Sequence, residues 1–276
     1  MVKKTLVNNN ILITGGSGRL GSLVNFGTKF SHQELDITNI KTIEKVLEIY
    51  KPSVLLHLAA LDISTSQQYP DKAYDVNVVG TLNIAKSCKE KGIKMVYMSS
   101  CTIFDGKKKI PYNEDDIPNP IHIYGQTKRI GESITLDLVS NSLIIRTGWP
   151  FGNLAANKGF VNICLNKLRN REDLEVLTLD RSGSPTYIPD LLVEIKRLID
   201  RDASGIYHVV NSGIASYFEI GKEVKKLGGF KTKIKKGRIK NTKPDFPERG
   251  KMEALISRKI KLRSWQDALS EYIKTI

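Results

Sequence analysis

Ile11-Leu12-Ile13-Thr14-Gly15-Gly16-Ser17-Gly18-Arg19-Leu20-Gly21 is an apolar, β-branched run that flows directly into glycines. A buried parallel strand, a glycine turn and a following helix form the context a dinucleotide fingerprint needs. Gly15 permits the tight turn, Gly18 lets the backbone approach a pyrophosphate, and Gly21 allows close helix–strand packing. The N-terminus of the expected helix then offers unpaired N–H groups to the phosphates.

Between Gly21 and Leu35 there is room only for a clipped helix and a short second strand. A Rossmann unit carries an acid about 20 positions past the glycines, bonded to the adenosine ribose. No acid stands clearly at that strand's end here, while Arg19, Lys29 and His32 are nearby cations. This favours a 2′-phosphate and hence NADPH, with NADH left open.

Strand and helix patterns then alternate. Ile40 to Tyr50 has helical periodicity and stops before Pro52. Val54 to Ala60 reads as a buried strand opening into small residues, Ala73 to Gly92 as a long helix carrying Asn77 and Gly80, and Lys94 to Met98 as a strand leading into Ser99-Ser100-Cys101. The rhythm predicts an α/β fold, a Rossmann-like doubly wound parallel sheet, with ligands beyond the carboxyl ends of its strands. From Phe151 onward the rhythm breaks. Lys158 to Glu172 reads as a helix and Glu175 to Leu179 as a strand. Thr186 to Arg201 returns to the main sheet, with Val209 near its last strand. The expected division is a dinucleotide-binding domain over 1–150 plus about 185–212, and a smaller C-terminal substrate lobe over about 151–184 and 213–276.

Tyr124-Gly125-Gln126-Thr127-Lys128 opens another helical stretch. Residues four apart share a helix face, so the phenol and the ammonium address one small volume. A free phenol titrates near pH ~10, and a fixed cation beside it lowers that value toward useful acid–base chemistry.

Composition narrows the setting. No apolar run approaches the ~20 residues of a membrane span. The basic N-terminal residues Met1 to Asn10 lack the apolar core and cleavage site of a secretory signal. Cys88, Cys101 and Cys164 are scattered, without metal-ligand spacing, which fits reduced thiols in the cytoplasm and no metal site. The net charge of +14 attracts anions without choosing among them. Its densest run, Lys231 to Lys240, reads as a solvated surface segment, and no nucleic-acid-binding motif accompanies it.

Taken in order, Thr14-Gly15-x-x-Gly18-x-x-Gly21, Asn77, Ser100 and Tyr124-xxx-Lys128 resemble the extended short-chain dehydrogenase/reductase superfamily. Within it the chain is most similar to the dTDP-4-dehydrorhamnose reductase family. That similarity rests on Leu35 to Thr38, Ile103 to Gly106, Ile145 to Trp149, Gly183 to Thr186, Gly205 to His208 and Leu262 to Leu269. The resemblance implies a reductase of a nucleotide-diphosphate sugar, with Ser100, Tyr124 and Lys128 as the catalytic residues. It also implies Gly18, Arg19 and Leu20 on the pyrophosphate, Asp36 and Ile37 on the adenine, Ala59 and Ala60 along the middle of the cofactor, Asn77, Tyr124 and Lys128 as further cofactor contacts with Lys128 on the nicotinamide ribose, and Trp149 on the sugar. Arg249 is a candidate for the substrate's phosphates, and a homodimer stays open.

Two departures bear on the substrate. Members of the family usually read Ser-Thr-Asp-Tyr-Val-Phe where this chain reads Ser99-Ser100-Cys101-Thr102-Ile103-Phe104, so Cys101 and Thr102 remove a carboxylate and a phenol. The stretch Leu61 to Pro70 lacks the usual Val-Asp and Glu. An epimerase or dehydratase of the same superfamily, or a non-catalytic cofactor-binding subunit, are the rival readings.

Overall fold

The computed structural model describes residues 10–153, 155, 159–177, 181–237 and 247–276. Met1 to Asn9, Lys158, Thr178, Leu179, the Arg238 to Lys240 end of the basic run and Lys243 to Phe246 lie outside them.

Six parallel strands form the central sheet in the order β10-β5-β4-β3-β1-β2. They are β1 (Ile11–Thr14), β2 (Thr28–Phe30), β3 (Val54–His57), β4 (Lys94–Met98), β5 (Leu143–Arg146) and β10 (Gly205–His208). Every residue of β1, β3, β4 and β5 is buried. Both sheet faces are therefore covered, which explains why these strands read as continuous apolar runs.

One face carries α1 (Ile40–Tyr50), α2 (Ile63–Gln68), α3 (Pro70–Tyr74), α4 (Gly80–Lys91) and α5 (Ile123–Leu138) in the chain's first half. Of these, α1, α4 and α5 supply Ile43, Leu47, Ile84, Cys88 and Ile134 to the core under that face. Asn39 caps α1 by accepting the Lys41 N–H at 3.1 Å, and Lys51 closes it at φ 42°. The helix expected over Ala73 to Gly92 is continuous from Pro70 to Lys91, but Asp75–Val79 winds as a π-helical turn between α3 and α4.

The other face departs from the expectation. After Gly21 there is no α-helix, only a 3-10 turn over Gly21–Leu23. Val24 is buried and Leu20, Leu23 and Phe26 pack beside it on the core that Ile11, Ile13 and Leu56 present. The rest of that face is covered by a helix from much later in the chain.

The elements between run β6 (Pro150–Phe151), α6 (Phe160–Arg169), β7 (Leu174–Leu177), β8 (Ser182–Gly183), β9 (Thr186–Tyr187) and then α7 (Ile188–Asp200), the covering helix. Thr186 to Arg201 thus returns as a helix on the sheet, and Val209 follows the last strand. Beyond β10 come β11 (Ala215–Ser216), α8 (Tyr217–Leu227), β12 (Ile234–Gly237) and α9 (Trp265–Lys274). Ser216 and Glu219 form a capping box on α8. A separate core joins α6, α8 and α9 through Leu165, Val224, Ala268, Leu269 and Tyr272.

Three histidines are buried in this framework: His57 (1% exposed), His122 (6%) and His208 (0%). His57 ties strand ends, with Nδ1 2.7 Å from Thr14 Oγ1 and Nε2 3.1 Å from Thr81 Oγ1. Burial pulls His57 down to about 3, and His122 and His208 down to about 4. The native state holds all three neutral, whereas the unfolded chain protonates them near pH ~6.5. Their contribution is whole above that value and is lost as the pH falls toward the native pKa values, at about 1.4 kcal/mol per pH unit for each histidine. Urea midpoints should therefore drop between about pH 7.5 and about pH 5.5. His122→Asn, which keeps a capping acceptor but cannot titrate, should make that fall shallower.

Candidate active site

The carboxyl ends of β1, β3, β4 and β5 open on one side of the sheet. Gly15, at φ 69°, turns the chain where a Cβ would stand 2.7 Å from the Ala59 backbone nitrogen. A Cβ on Gly21 would come within 2.2 Å of the Gly15 carbonyl oxygen. Gly18 closes the turn by donating its N–H to that same oxygen at 3.0 Å, and Gly16 donates to Phe30 O at 2.7 Å. The Ala59 N–H donates to Thr14 Oγ1 at 3.3 Å, which brings Ala59 and Ala60 against the turn. This side-chain-free cradle fits a dinucleotide backbone. The N–H groups come from the turn itself, since the short 3-10 segment has little dipole to offer.

Several expected cofactor residues are placed differently from the sequence reading. Arg19 does not lean toward β2. Its Nη2 donates to the Pro150 carbonyl, its side chain sits against Gly159, and it lines the cleft on the substrate side. Asn77 has both ends of its side chain engaged within the protein. The π-helical turn aims its side chain so that Oδ1 accepts the Leu61 N–H at 2.7 Å and Nδ2 donates to Thr127 Oγ1 at 3.0 Å. Asn77 is a bracket between the loop after β3 and α5. Ile37 is buried against Gly80, and Asn83 Nδ2 holds its carbonyl at 3.1 Å. Asp36 accepts from the Thr38 hydroxyl at 2.7 Å. An acid does stand just past β2: Glu34 Oε2 accepts both the Ser31 N–H and the Ser31 hydroxyl at 2.7 Å. With the first helix gone, the loop folds back there instead of running on.

Ser100 follows β4. Its Oγ accepts the Thr102 N–H at 3.2 Å and the Thr102 hydroxyl at 3.0 Å, so its own proton is directed away from Thr102, toward Tyr124 and the cleft. Tyr124 lies in the first turn of α5, which His122 caps by accepting the Gly125 N–H at 3.1 Å. Burial raises the Tyr124 phenol above its usual range, with Cys101 and Asp62 adding to the rise and a hydrogen bond with Ser100 opposing it. Lys128, buried one turn along, places Nζ 4.1 Å over the Tyr97 ring. Burial pulls that ammonium down to about 7, against the charge of Glu132. The lowered phenol expected from the neighbouring Lys128 is thus not what the free protein shows, because burial carries Tyr124 the other way. Desolvation dominates both groups and keeps Tyr124 a protonated acid.

The cleft, of about 560 Å³, is lined by Arg19, Ser100, Tyr124, Trp149, Tyr217 and Arg249 among others. Trp149, at φ 38°, stacks on Tyr217 at 4.1 Å between ring centroids and donates Nε1–H to Glu253 at 2.7 Å. Arg249 also pairs with Glu253. Cys101 and Thr102 are both buried and border the cleft. Burial pushes the Cys101 thiol up to about 12, which makes it a small neutral filler and no nucleophile. Among the described residues no group of His, Cys, Asp and Glu could hold a metal ion, and no helix is long and apolar enough to cross a membrane.

Sequence reading missed Asp62, Tyr217 and Glu253. Asp62 lines the cleft and caps α2 by accepting the Thr65 N–H at 2.9 Å. Its signal was present, an Asp directly before Ile63-Ser64-Thr65, in the pattern of a helix N-cap. Tyr217 and Glu253 carry no such local mark.

A family model described as RmlD substrate binding domain matches residues 9–276. The spore coat polysaccharide biosynthesis protein SpsK of Bacillus subtilis (strain 168) is 31% identical over 278 residues, 96% of each chain. A dTDP-4-dehydrorhamnose reductase of Aggregatibacter actinomycetemcomitans is 33% identical over 225 residues, 76% of each chain. The crystal structure of dTDP-4-dehydrorhamnose reductase from Bacillus anthracis str. Ames, in complex with NADP, superposes with a TM-score of 0.90 at 29% identity, covering 97% of this chain and 99% of that one. On this evidence the chain belongs to the RmlD substrate binding domain family, within the extended short-chain dehydrogenase/reductases.

Proposed function

We propose that this chain is an NADPH-dependent reductase of a nucleotide-linked 4-keto-6-deoxy sugar, working in the cytoplasm in deoxysugar biosynthesis of the dTDP-rhamnose type. The observation that carries the reading is that Arg19 and Leu20 of the glycine turn share one cleft with Ser100, Tyr124 and Trp149. A cofactor laid on the turn and a sugar laid against the tryptophan would meet at the serine and the phenol.

NADPH, when bound, supplies the hydride for the C4 ketone. Ser100, whose hydroxyl bonds Tyr124 in the free protein, turns its proton to the ketone oxygen and stabilises the charge that develops there. Tyr124, kept protonated by burial, transfers its proton to that oxygen, so ketone, hydride and proton together give the alcohol. Lys128 adds a buried cation behind this pair, and Trp149 forms one wall for the sugar. A dehydratase needs acids beside the serine, and Cys101 and Thr102 supply none, which disfavours that rival.

The test is NADPH oxidation against a panel of nucleotide-linked 4-keto-6-deoxy sugars. Turnover of at least one is expected. A chain that binds NADPH and turns over none would instead be a non-catalytic cofactor-binding subunit. NADPH should serve at least as well as NADH. Glu34 is a carboxylate just past the strand end where the adenosine ribose binds in Rossmann folds. Glu34→Gln removes its repulsion toward a 2′-phosphate, so kcat/KM for NADPH relative to NADH should rise by about tenfold. An unchanged ratio would mean that Glu34 lies away from the ribose.

A further inference from the structure

Lys128 lies against an aromatic face. Its Nζ stands 4.1 Å from the centroid of the Tyr97 ring, and the residue is 4% exposed. Among the described residues that ammonium has no hydrogen-bond acceptor and no ion-pair partner. Glu132 acts on it from one turn along α5, but Glu132 is itself clasped by Arg146 through two bonds. Tyr97, on β4, is 0% exposed, and its hydroxyl donates to the Lys128 carbonyl at 3.4 Å. Gly131 makes the fit possible, since a Cβ there would stand 2.1 Å from the Tyr97 hydroxyl oxygen.

The other titratable groups around this ring are held neutral. Burial keeps the Tyr97 and Tyr124 phenols protonated above their usual range. It pulls His57 on β3, whose ring lies 5.8 Å from that of Tyr97, down to about 3. Asp62 and Cys101 bear on Tyr124 instead. The face of an aromatic ring is negative and attracts a cation, most strongly where water is excluded. A carboxylate in the same place would hold the ammonium more firmly, but it would take up its donors and cancel its charge. A ring does neither. It leaves the N–H groups that point away from it for a ligand.

We infer that Tyr97 is the positioning residue for Lys128, its ring face orienting the ammonium and favouring its charge while leaving donors free for the cofactor. The inference goes beyond the reductase reading and rests on it only for what the lysine serves. Tyr97 does not line the cleft, so it acts through the lysine and not on the substrate. Removing the ring should leave only Glu132 to oppose burial, which would drive the ammonium further toward neutrality.

NMR titration of the full chain, isotopically labelled at the lysine ε-carbons, tests this without cofactor or turnover. Ordinary lysines titrate near pH ~10.4, so the Lys128 signal stands apart at about 7, and its loss in Lys128→Met identifies it. In the unaltered chain that signal should also be displaced upfield by the ring current of Tyr97. Tyr97→Leu should abolish the displacement and lower the titration midpoint by about one pH unit. Tyr97→Phe, which keeps the ring, should retain both. In turnover, the alkaline fall of kcat/KM should move to lower pH with Tyr97→Leu and stay in place with Tyr97→Phe. A tyrosine that only fills space would leave the midpoint where it is. An unchanged midpoint in Tyr97→Leu, or the same drop in Tyr97→Phe, would overturn the inference. Should Tyr97→Leu fail to fold, ring-fluorinated phenylalanines at this position decide. They keep the shape and weaken the ring face, so the midpoint should step down with each fluorine, and a midpoint indifferent to fluorination would overturn the inference equally. The reductase reading stands or falls separately, on whether a keto sugar is turned over.

Discussion

Tyr124→Phe is expected to bind NADPH and nucleotide sugar as the unaltered chain does, yet lose about 10²–10⁴-fold in kcat, the scale of one general acid. The substitution leaves the ring, and with it the packing at the start of α5, and removes only the proton. The environment sharpens the expectation. Burial holds the phenol protonated well past neutrality, so the group is poised as an acid and loses its proton only when a stronger base develops beside it. Ser100→Ala should cost about 2–4 kcal/mol of transition-state stabilisation, because Thr102 occupies the acceptor side of its hydroxyl and leaves the proton to the Tyr124 side of the cleft. The two losses should not add, since both groups act on one oxygen. Lys128 gives the pH signature. Its ammonium is pulled down to about 7, so a chain that needs this charge loses kcat/KM as the pH rises through that value. In Lys128→Met the profile should be lower and should lack that limb. If Tyr124→Phe matched the unaltered chain in turnover, the phenol would not be the acid.

How much of this was legible in the sequence depends on how far apart the participating residues lie. The strands at Ile11, Val54 and Lys94, the glycine turn, and the Tyr124–Lys128 face were readable because each is a local pattern of apolar runs, punctuation and helical spacing. The loss of the first helix was legible only as missing length. Nothing in Ser22 to Gly27 announces that Val24 and Phe26 would take over its packing. Asn77 looked like a cofactor residue because it lies in the right order along the chain. Its actual partners, Leu61 and Thr127, depend on a π-helical turn that no periodicity encodes. Glu34 was overlooked for a related reason: with the helix removed, the usual distance from glycines to acid no longer locates the strand end. The tie of Trp149 to Glu253, and through it to Arg249, is the extreme case, because it depends on the segment around Met252 packing against Gly106, Tyr112 and β8, contacts between residues far apart in the chain. The shifts of Tyr124 and Lys128 were misjudged because spacing reveals which charges are close but not how little water reaches them.

The largest stability effect is expected at the pair that supports this helix from beneath. Arg146 ends β5 at 1% exposed, and Glu132, one turn beyond Lys128 on α5, is at 0%. Their bond is bidentate, Nε to Oε1 at 2.8 Å and Nη2 to Oε2 at 2.9 Å, with Arg129 adding a contact to Oε2 at 3.3 Å. Glu132→Ala strands the Arg146 guanidinium without its counter-ion and should cost about 3–5 kcal/mol in urea unfolding, a large share of the ~5–15 kcal/mol typical of a folded domain. Replacing both partners with apolar residues of similar size, Glu132→Leu with Arg146→Met, should recover most of that loss, because no buried charge is left unpaired. The double variant then separates stability from chemistry. Glu132 is the charge that opposes the desolvation of Lys128, so its removal should drive the ammonium further down. A double variant that is as stable as the unaltered chain but loses kcat/KM at a lower pH would show that the pair serves the catalytic lysine. A double variant with the same stability and the same pH profile would confine the pair to holding α5 against β5.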